Sequence, residues 1–164
     1  MKNGITVCLW FNNNAKEAVD FYLSVFKGSK IIEIDYYTEV GENITGHKKG
    51  DIVTIEFEVL NTRLLALNAG PEFRFSPAVS LVIECDTQEE IDYYWGKLSY
   101  VPEAEQCGWL QDKYGLSWQV VPADLSRMLI NGTPEQRKSV TEKYMDMKKF
   151  NIKEIKDAFD KKSI

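Results

Sequence analysis

Glu17-Ala-Val-Asp-Phe-Tyr-Leu-Ser-Val-Phe26 is a pattern that the chain uses twice. Glu89-Glu-Ile-Asp-Tyr-Tyr-Trp-Gly-Lys-Leu98 repeats it at a constant offset of 72 residues (89 − 17). Each copy places apolar residues three and four positions apart, which is typical of the buried face of an amphipathic helix. A capping residue precedes each copy, Asn14 or Thr87, with a glutamate three residues later. The repeat therefore predicts two helices in equivalent places of a duplicated chain.

Alternating apolar and polar residues predict strands around both helices. The predicted strands are 5–11, 30–38, 52–59 and 64–68 in the first half, and 78–85, 101–107, 108–112 and 116–121 in the second. Residues 39–50 form a polar, glycine-punctuated loop, and Ala69-Gly70-Pro71 separates the halves. The order β-α-β-β-β therefore occurs twice.

The last strands of the two halves also match each other. Residues 65–71 align with 116–122 at a constant offset of 51 residues (122 − 71), which pairs Asn68 with Gln119. Three further helices are predicted at 123–129, 134–147 and 152–161, the second with Thr133 as its cap and Gln136 three residues later. We therefore predict an α+β fold of two tandem βαβββ modules, residues 1–70 and 71–122. Residues 123–164 form a C-terminal helical extension of the same domain.

Composition limits the classes of function. The chain has 164 residues with 44% hydrophobic and 27% charged residues, as expected of a globular domain, and its net charge of −5 leaves no basic footprint for nucleic acid. Neither a membrane span nor a signal peptide is expected. Cys8, Cys85 and Cys107 are an odd number without zinc-type spacing. They favour free thiols in a reducing cytoplasm.

Two tandem β-α-β-β-β units with the helix pattern "EAVDFY" resemble the vicinal oxygen chelate superfamily, which includes glyoxalase I, bleomycin-resistance proteins and extradiol dioxygenases. The chain is most similar to its PhnB-like branch, the "3-demethylubiquinone-9 3-methyltransferase" domain. The motifs that carry this resemblance are 8–11, 15–22, 66–71 with Phe73 and Phe75, and 107–119. The resemblance implies sheets that curl into cup-like halves, a pocket in the concavity, and a homodimer that sometimes exchanges modules.

Metal-using members of that superfamily take their ligands from the first and last strand of each unit. Aligning "EAVDFY" with those members puts Val7 and its repeat Val79 at the first-strand positions, and Asn68 and Gln119 at the last-strand positions. Valine cannot coordinate a metal, and a carboxamide oxygen is a weak neutral ligand. The single histidine, His47, lies in a loop that no repeat register brings to the pocket. We therefore expect no metal ion and no other cofactor.

The expected ligand site combines amides with aromatic walls. Asn68 and Gln119 offer hydrogen-bond donors and acceptors, although bonds to each other or to the backbone would satisfy them equally well. The aromatic candidates for pocket walls are Trp10, Phe73, Phe75, Trp109 and Trp118, and residues of this type at strand spacing also serve as core. No glycine-rich G-x-G turn follows the first strand, so methyl transfer from a bound cofactor is not expected.

Three functions remain open. The first is a cytoplasmic homodimer that binds an unknown small molecule in the cup, without nucleic acid or membrane partners. The second is a divalent-metal-dependent enzyme of the lyase or dioxygenase type whose ligands are non-standard, such as Glu56, Glu58 or Glu105 with Gln119. The third is a structural or regulatory protein that makes contacts through its C-terminal helices, residues 134–161.

Overall fold

The computed structural model describes residues 4–40 and 46–161. The chain divides into two compact units, Met1–Arg74 and Phe75–Ile164. The predicted module boundary after residue 70 lies a few residues before this division, and the C-terminal helices belong to the second unit. Residues 41–45, which the sequence assigns to a loop, lie outside the described part of the chain.

The N-terminal unit has the predicted β-α-β-β-β order. Its elements are β1 (Val7–Asn12), α1 (Ala15–Val25), β2 (Lys30–Tyr36), β3 (Ile52–Val59) and β4 (Thr62–Ala69). The strands form one mixed sheet in the order β1-β4-β3-β2, with β1 parallel to β4 and the other pairs antiparallel.

Helix α1 covers one face of this sheet. Its buried stripe consists of Ala15, Ala18, Val19, Tyr22 and Val25, which is the face that the sequence periodicity predicts. The strands present Leu9, Phe11, Ile55, Phe57, Leu64 and Ala66 to the core, all at most 3% exposed. Tyr22 stacks on Phe57 with a ring separation of 6.2 Å. The hydrophobic core of the N-terminal unit therefore lies between α1 and this face of the sheet.

The C-terminal unit repeats the motif with a smaller sheet and adds helices. Its elements are β5 (Ser80–Cys85), α2 (Gln88–Leu98), a 3-10 turn (Pro102–Ala104), β6 (Trp109–Gln111), β7 (Ser117–Pro122), α3 (Leu125–Asn131), α4 (Pro134–Met145) and α5 (Ile152–Asp160). The strand order is β5-β7-β6, with β5 parallel and β6 antiparallel to β7. The α+β class with two open mixed sheets and C-terminal helices is thus confirmed, while the cup-like curling stays a prediction.

The predicted strand over 101–107 is wrong. Pro102 begins a 3-10 turn there, and only an isolated bridge joins Gln106 to Trp109. Proline lacks the backbone N–H that a strand ladder requires, which explains why the segment turns instead of pairing. Among the described residues, the C-terminal unit therefore has three strands and the N-terminal unit has four.

The last strands of the two units align one residue away from the predicted register. Phe11 pairs with Asn68 in the first sheet, and Ile83, which lies 72 residues after Phe11 (83 − 11), pairs with Val120 in the second. The counterpart of Asn68 is therefore Val120, at an offset of 52 residues (120 − 68), and not Gln119. Because successive side chains of a strand point to opposite faces, this shift places Asn68 and Gln119 on opposite faces of their sheets.

The C-terminal helices are anchored on the rest of their unit. The Gln88 carboxamide at the start of α2 donates to the Phe150 carbonyl at 3.1 Å and accepts from the Ile152 N–H at 2.8 Å. Cys107 and Gly108 donate backbone hydrogen bonds to Met147 and Lys148. The predicted capping boxes Thr87–Glu90 and Thr133–Gln136 are both present. In the described part of the chain no helix has the length and apolar character needed to span a bilayer.

Candidate functional site

The N-terminal unit contains a cleft of about 510 Å³ at the carboxyl ends of β1 and β4. We call it the His47 cleft; its main walls are Trp10, Asn13, Tyr37, His47, Gly70 and Glu72. A second depression of about 690 Å³ shares Asn13, Gly46 and His47 with it and continues to Asp51 and Asn68. Two predicted ligand-binding residues, Trp10 and Asn68, thus line neighbouring parts of one surface.

The loop after β2 brings His47 to this cleft. Tyr37 donates its N–H to the Asp51 carbonyl, and Gly50 donates to the Tyr37 carbonyl, so the loop ends are held together by backbone hydrogen bonds of 2.8 and 2.9 Å. The His47 imidazole then stacks on the Tyr37 ring at 4.6 Å with an angle of 14° between the planes. His47 therefore lies in the wall of this cleft, where hairpin geometry and not repeat register places it.

Trp10 forms the opposite part of the wall. Its indole N–H donates to the Gly70 carbonyl at 2.9 Å, which fixes the ring against the segment that follows β4. The Phe73 ring meets Trp10 edge to face at 4.8 Å and is 63% exposed. Both aromatic residues that the sequence nominates in this unit therefore lie beside the cleft, with the Trp10 ring held in place.

Asn68 also has a structural role. Its Oδ1 accepts from the Ala15 N–H at the start of α1, and its Nδ2 donates to the Ile52 carbonyl of β3, both at 3.1 Å. The expected cap Asn14 makes no side-chain capping bond, so Asn68 supplies this acceptor from across the sheet. Asn68 therefore joins α1, β3 and β4.

Replacing Asn68 tests that role. We expect Asn68→Ala to lower the free energy of unfolding by about 1–2 kcal/mol, because a helix N–H and a strand carbonyl each lose a partner. Gln119→Ala, the control, should cost about 1 kcal/mol or less, since within the described part of the chain its carboxamide makes one hydrogen bond, to the Ser80 hydroxyl at 2.9 Å. Urea denaturation measures both, and equal costs would contradict the structural role of Asn68.

The predicted site residues in the C-terminal unit have different surroundings. Trp118 is 2% exposed, and its indole N–H donates to the buried Asp112 carboxylate at 2.8 Å, so it is a core residue. Trp109 and Gln119 are half-buried and pair across β6 and β7, on the face opposite Trp118. Phe75 is half-buried in the segment before β5. Trp118 is therefore excluded from the candidate site, and ligand contact by the other three stays a prediction.

The first-strand positions expected from metal-using relatives are occupied by two exposed valines. Val7 has the same strand parity as Leu9 and Phe11, but at the start of β1 it is 37% exposed. Val79 precedes β5 and is 64% exposed. The register of the last strands is also shifted. Positions 7, 68, 79 and 119 therefore do not all occupy equivalent positions in the two sheets.

The carboxylates proposed as non-standard metal ligands have other partners. Glu56 pairs with Arg63 at 3.0 Å, Glu58 with Lys30 at 3.5 Å, and Glu105 with Lys148 at 3.4 Å. The Glu105 carboxylate also accepts from the Ser99 hydroxyl at 2.6 Å. Within residues 4–40 and 46–161, no three histidine, cysteine, aspartate or glutamate side chains come together in a group that could hold a metal ion.

The three cysteines are free thiols, as predicted from their number and spacing. Cys85 is 1% exposed at the end of β5. Burial raises the pKa of its thiol from 9.0 to about 12, with smaller contributions from the charges of Glu90 and Asp86. Because the thiolate is the reactive form, Cys85 is poorly suited to nucleophilic chemistry.

Alkylation checks this consequence. A pKa near 12 leaves the Cys85 thiolate fraction at pH 8 roughly a thousandfold below that of an unperturbed thiol. We expect iodoacetamide to modify Cys107, which is half-buried, before Cys85, and all three cysteines to react once the chain is unfolded in urea. Peptide mass mapping over time measures the order. Equal rates for Cys85 and Cys107 in the native protein would contradict the burial of Cys85.

Comparison with known proteins supports the resemblance noted in the sequence. The profile of the 3-demethylubiquinone-9 3-methyltransferase family matches residues 3–121. The chain belongs to this family. A solved structure described as a putative 3-demethylubiquinone-9 3-methyltransferase, PhnB protein, from Bacillus cereus is 34% identical, with a TM-score of 0.59. The match covers 73% of this chain and 99% of that one.

Two more distantly related solved structures are also similar to this chain. Protein PA1353 from Pseudomonas aeruginosa is 18% identical with a TM-score of 0.53, and the match covers 74% of this chain and 98% of that one. The fosfomycin resistance protein FosX from Listeria monocytogenes is 14% identical with a TM-score of 0.49, and covers 79% and 98%. No curated protein sequence matches the chain significantly. The family match ends at residue 121, before the C-terminal helices of this family member begin.

Proposed function

We propose that this member of the 3-demethylubiquinone-9 3-methyltransferase family binds a small molecule in the His47 cleft. In this proposal, binding uses neither the metal site of the vicinal oxygen chelate enzymes nor a methyl donor. The observation that carries the proposal is the convergence of Trp10, Tyr37 and His47 on one cleft of about 510 Å³. Small-molecule sites commonly have volumes of roughly 300–1,000 Å³ and combine aromatic walls with a few polar groups.

The arrangement of the walls favours binding over chemistry. The Trp10 indole N–H is engaged by Gly70, and the Tyr37 hydroxyl donates to the Asn68 carbonyl at 3.3 Å, so both rings are held in position. Preorganised aromatic surfaces lower the entropic cost of binding. No glycine-rich phosphate-binding turn follows β1, where Asn12, Asn13 and Asn14 stand instead, which supports the proposal against methyl transfer.

We further propose that the protein is a cytoplasmic homodimer. Strand β5 lies at one edge of its sheet; Val79, which precedes it, is 64% exposed, and Val82 within it is 56% exposed. Exposed edge strands and apolar patches are places where a second chain docks. Light scattering coupled to size exclusion should give twice the mass of one chain, which is 18.9 kDa. A single-chain mass over a wide concentration range would contradict the dimer.

Native mass spectrometry of the gently purified protein tests the binding function. We expect a co-purified compound, or hits from a fragment library screened by ligand-observed NMR, whose binding weakens about tenfold or more in the double variant Trp10→Leu with His47→Ala. Trp109→Leu in the other unit is the matched control and should leave binding unchanged. The proposal is wrong if no compound binds, or if the control variant weakens binding while the cleft variant does not.

A further inference from the structure

The charge of the His47 cleft is one-sided. Among the described residues that line it, Glu72 is the one carboxylate, and neither lysine nor arginine is present. The remaining polar lining consists of neutral amide and backbone groups, the Tyr37 hydroxyl and the His47 imidazole. An anionic ligand would therefore meet a negative charge in this cleft, since Lys48 lines the adjoining depression, where Asp51 accompanies it.

The Glu72 side chain lies against Gly70. Its Oε1 lies 2.8 Å from the point where an alanine at position 70 would carry its Cβ, so the carboxylate occupies the space that Gly70 leaves free. The carbonyl of the same Gly70 accepts the hydrogen bond from the Trp10 indole. The carboxylate and the Trp10 indole therefore both approach Gly70, and Glu72 forms no ion pair with any other described residue.

The aromatic part of the cleft has the complementary property. The stacked rings of Tyr37 and His47 and the ring of Trp10 present π surfaces, whose faces carry negative charge density. A cation within about 6 Å of such a face is attracted to it, most strongly over tryptophan. The aromatic faces and the Glu72 carboxylate therefore both favour a positively charged ligand.

We propose that the ligand of the His47 cleft is an organic cation, a substituted ammonium whose positive group lies between the Trp10 ring and the Glu72 carboxylate. This inference rests on the proposed function, because it names the chemical class of ligand for the same site. The substituents of the ammonium pack on the aromatic walls, and Glu72 supplies the counter-charge. Quaternary ammonium groups suit such a site because they lose little hydration on entering an aromatic cleft.

A pair of isosteric probes tests the sign of charge directly. Choline and 3,3-dimethylbutan-1-ol have nearly the same shape, but only choline carries a positive charge. Each is titrated into ¹⁵N-labelled full-length protein at pH 8, and the indole N–H signal that Trp10→Phe removes reports on the cleft. We expect choline to bind about tenfold more tightly than the neutral alcohol.

Two variants test whether the Glu72 carboxylate causes the preference for choline. Glu72→Gln should reduce the choline preference to about threefold or less, and Gly70→Ala should do the same because its Cβ displaces the Glu72 carboxylate. Glu84→Gln, an exposed carboxylate on β5, removes the same charge elsewhere and should leave the preference unchanged.

The outcomes separate this inference from the proposed function. Equal affinity for both probes, a preference for the alcohol, or a Trp10 signal that choline does not move each overturns the cationic ligand. The co-purification and fragment tests still decide in all three cases whether the cleft binds a small molecule. A choline preference that survives Glu72→Gln would overturn the role of the carboxylate and with it the proposed position of the ammonium group.

Discussion

Asp112→Ala is expected to lower the free energy of unfolding by about 3–5 kcal/mol, one of the two largest effects that we predict. Asp112 is 1% exposed. Its Oδ1 accepts from the Tyr114 and Leu116 N–H groups at 2.8 and 3.1 Å, and its Oδ2 accepts from the Trp118 indole at 2.8 Å. Removal of the carboxylate leaves three donors without this acceptor in the interior of the C-terminal unit. Urea denaturation, followed by circular dichroism, measures the loss.

Two further variants separate the hydrogen bonds of Asp112 from a general effect of mutation. Asp112→Asn should cost about 2 kcal/mol, because an amide oxygen can still accept two bonds while the amide nitrogen faces the Trp118 donor. Asp124→Ala removes a partly exposed carboxylate that pairs with Arg127 and should cost at most about 1 kcal/mol. A loss of less than about 1 kcal/mol for Asp112→Ala would contradict the buried network.

Phe150→Ala is expected to cost about 3–5 kcal/mol, because it removes a buried aromatic ring from the segment that anchors the C-terminal helices. Phe150 is 2% exposed and packs edge to face on Tyr144 at 5.9 Å. Its ring also covers Gly108, where an added Cβ would lie 2.6 Å from the Phe150 Cε2. Loss of the ring therefore leaves a cavity between the helical extension and the sheet. Thermal and urea unfolding of the full chain measure the effect.

The exposed residue Ile130 provides the control for Phe150. It is 75% exposed on α3 of the same unit, so Ile130→Ala should change stability by no more than about 0.5 kcal/mol. Gly108→Ala should destabilise as well, because Gly108 has a φ of 81° and its new side chain would press on Phe150. If the C-terminal helices were anchored elsewhere, Phe150→Ala and Ile130→Ala would lower the free energy of unfolding by similarly small amounts.

Most elements of the fold follow from the sequence because local signals and burial agree. The stripe of α1 and the capping boxes at Thr87 and Thr133 are read correctly from spacing alone. The strand over 101–107 fails because Pro102 cannot donate a ladder hydrogen bond and begins a 3-10 turn instead. The alignment of Asn68 with Gln119 fails for a different reason. A shift of one residue hardly changes the sequence similarity of two short strands, but it moves every side chain to the opposite face of the sheet.

The candidate site was harder to predict than the fold because tertiary contacts assemble it. The sequence identifies Trp10 and Phe73 as candidates for pocket walls. Nothing in their spacing shows that the Gly70 carbonyl holds Trp10 in place. His47 reaches the cleft through the hairpin between β2 and β3, whose backbone bonds at Tyr37 are invisible in the sequence. The position of Glu72 depends on the missing side chain of Gly70. The sequence signal for this contact is a glycine followed two residues later by a glutamate. That pattern is too common to predict the contact by itself.

A crystal structure of the protein soaked with its co-purified compound, or with the best fragment from screening, tests the central claim most directly. The account predicts ligand density in the N-terminal unit, in contact with the Trp10 ring and with the His47 and Tyr37 pair. Density that lies instead against Trp109 and Gln119, or a metal ion bound by the chain at the ligand, would contradict it.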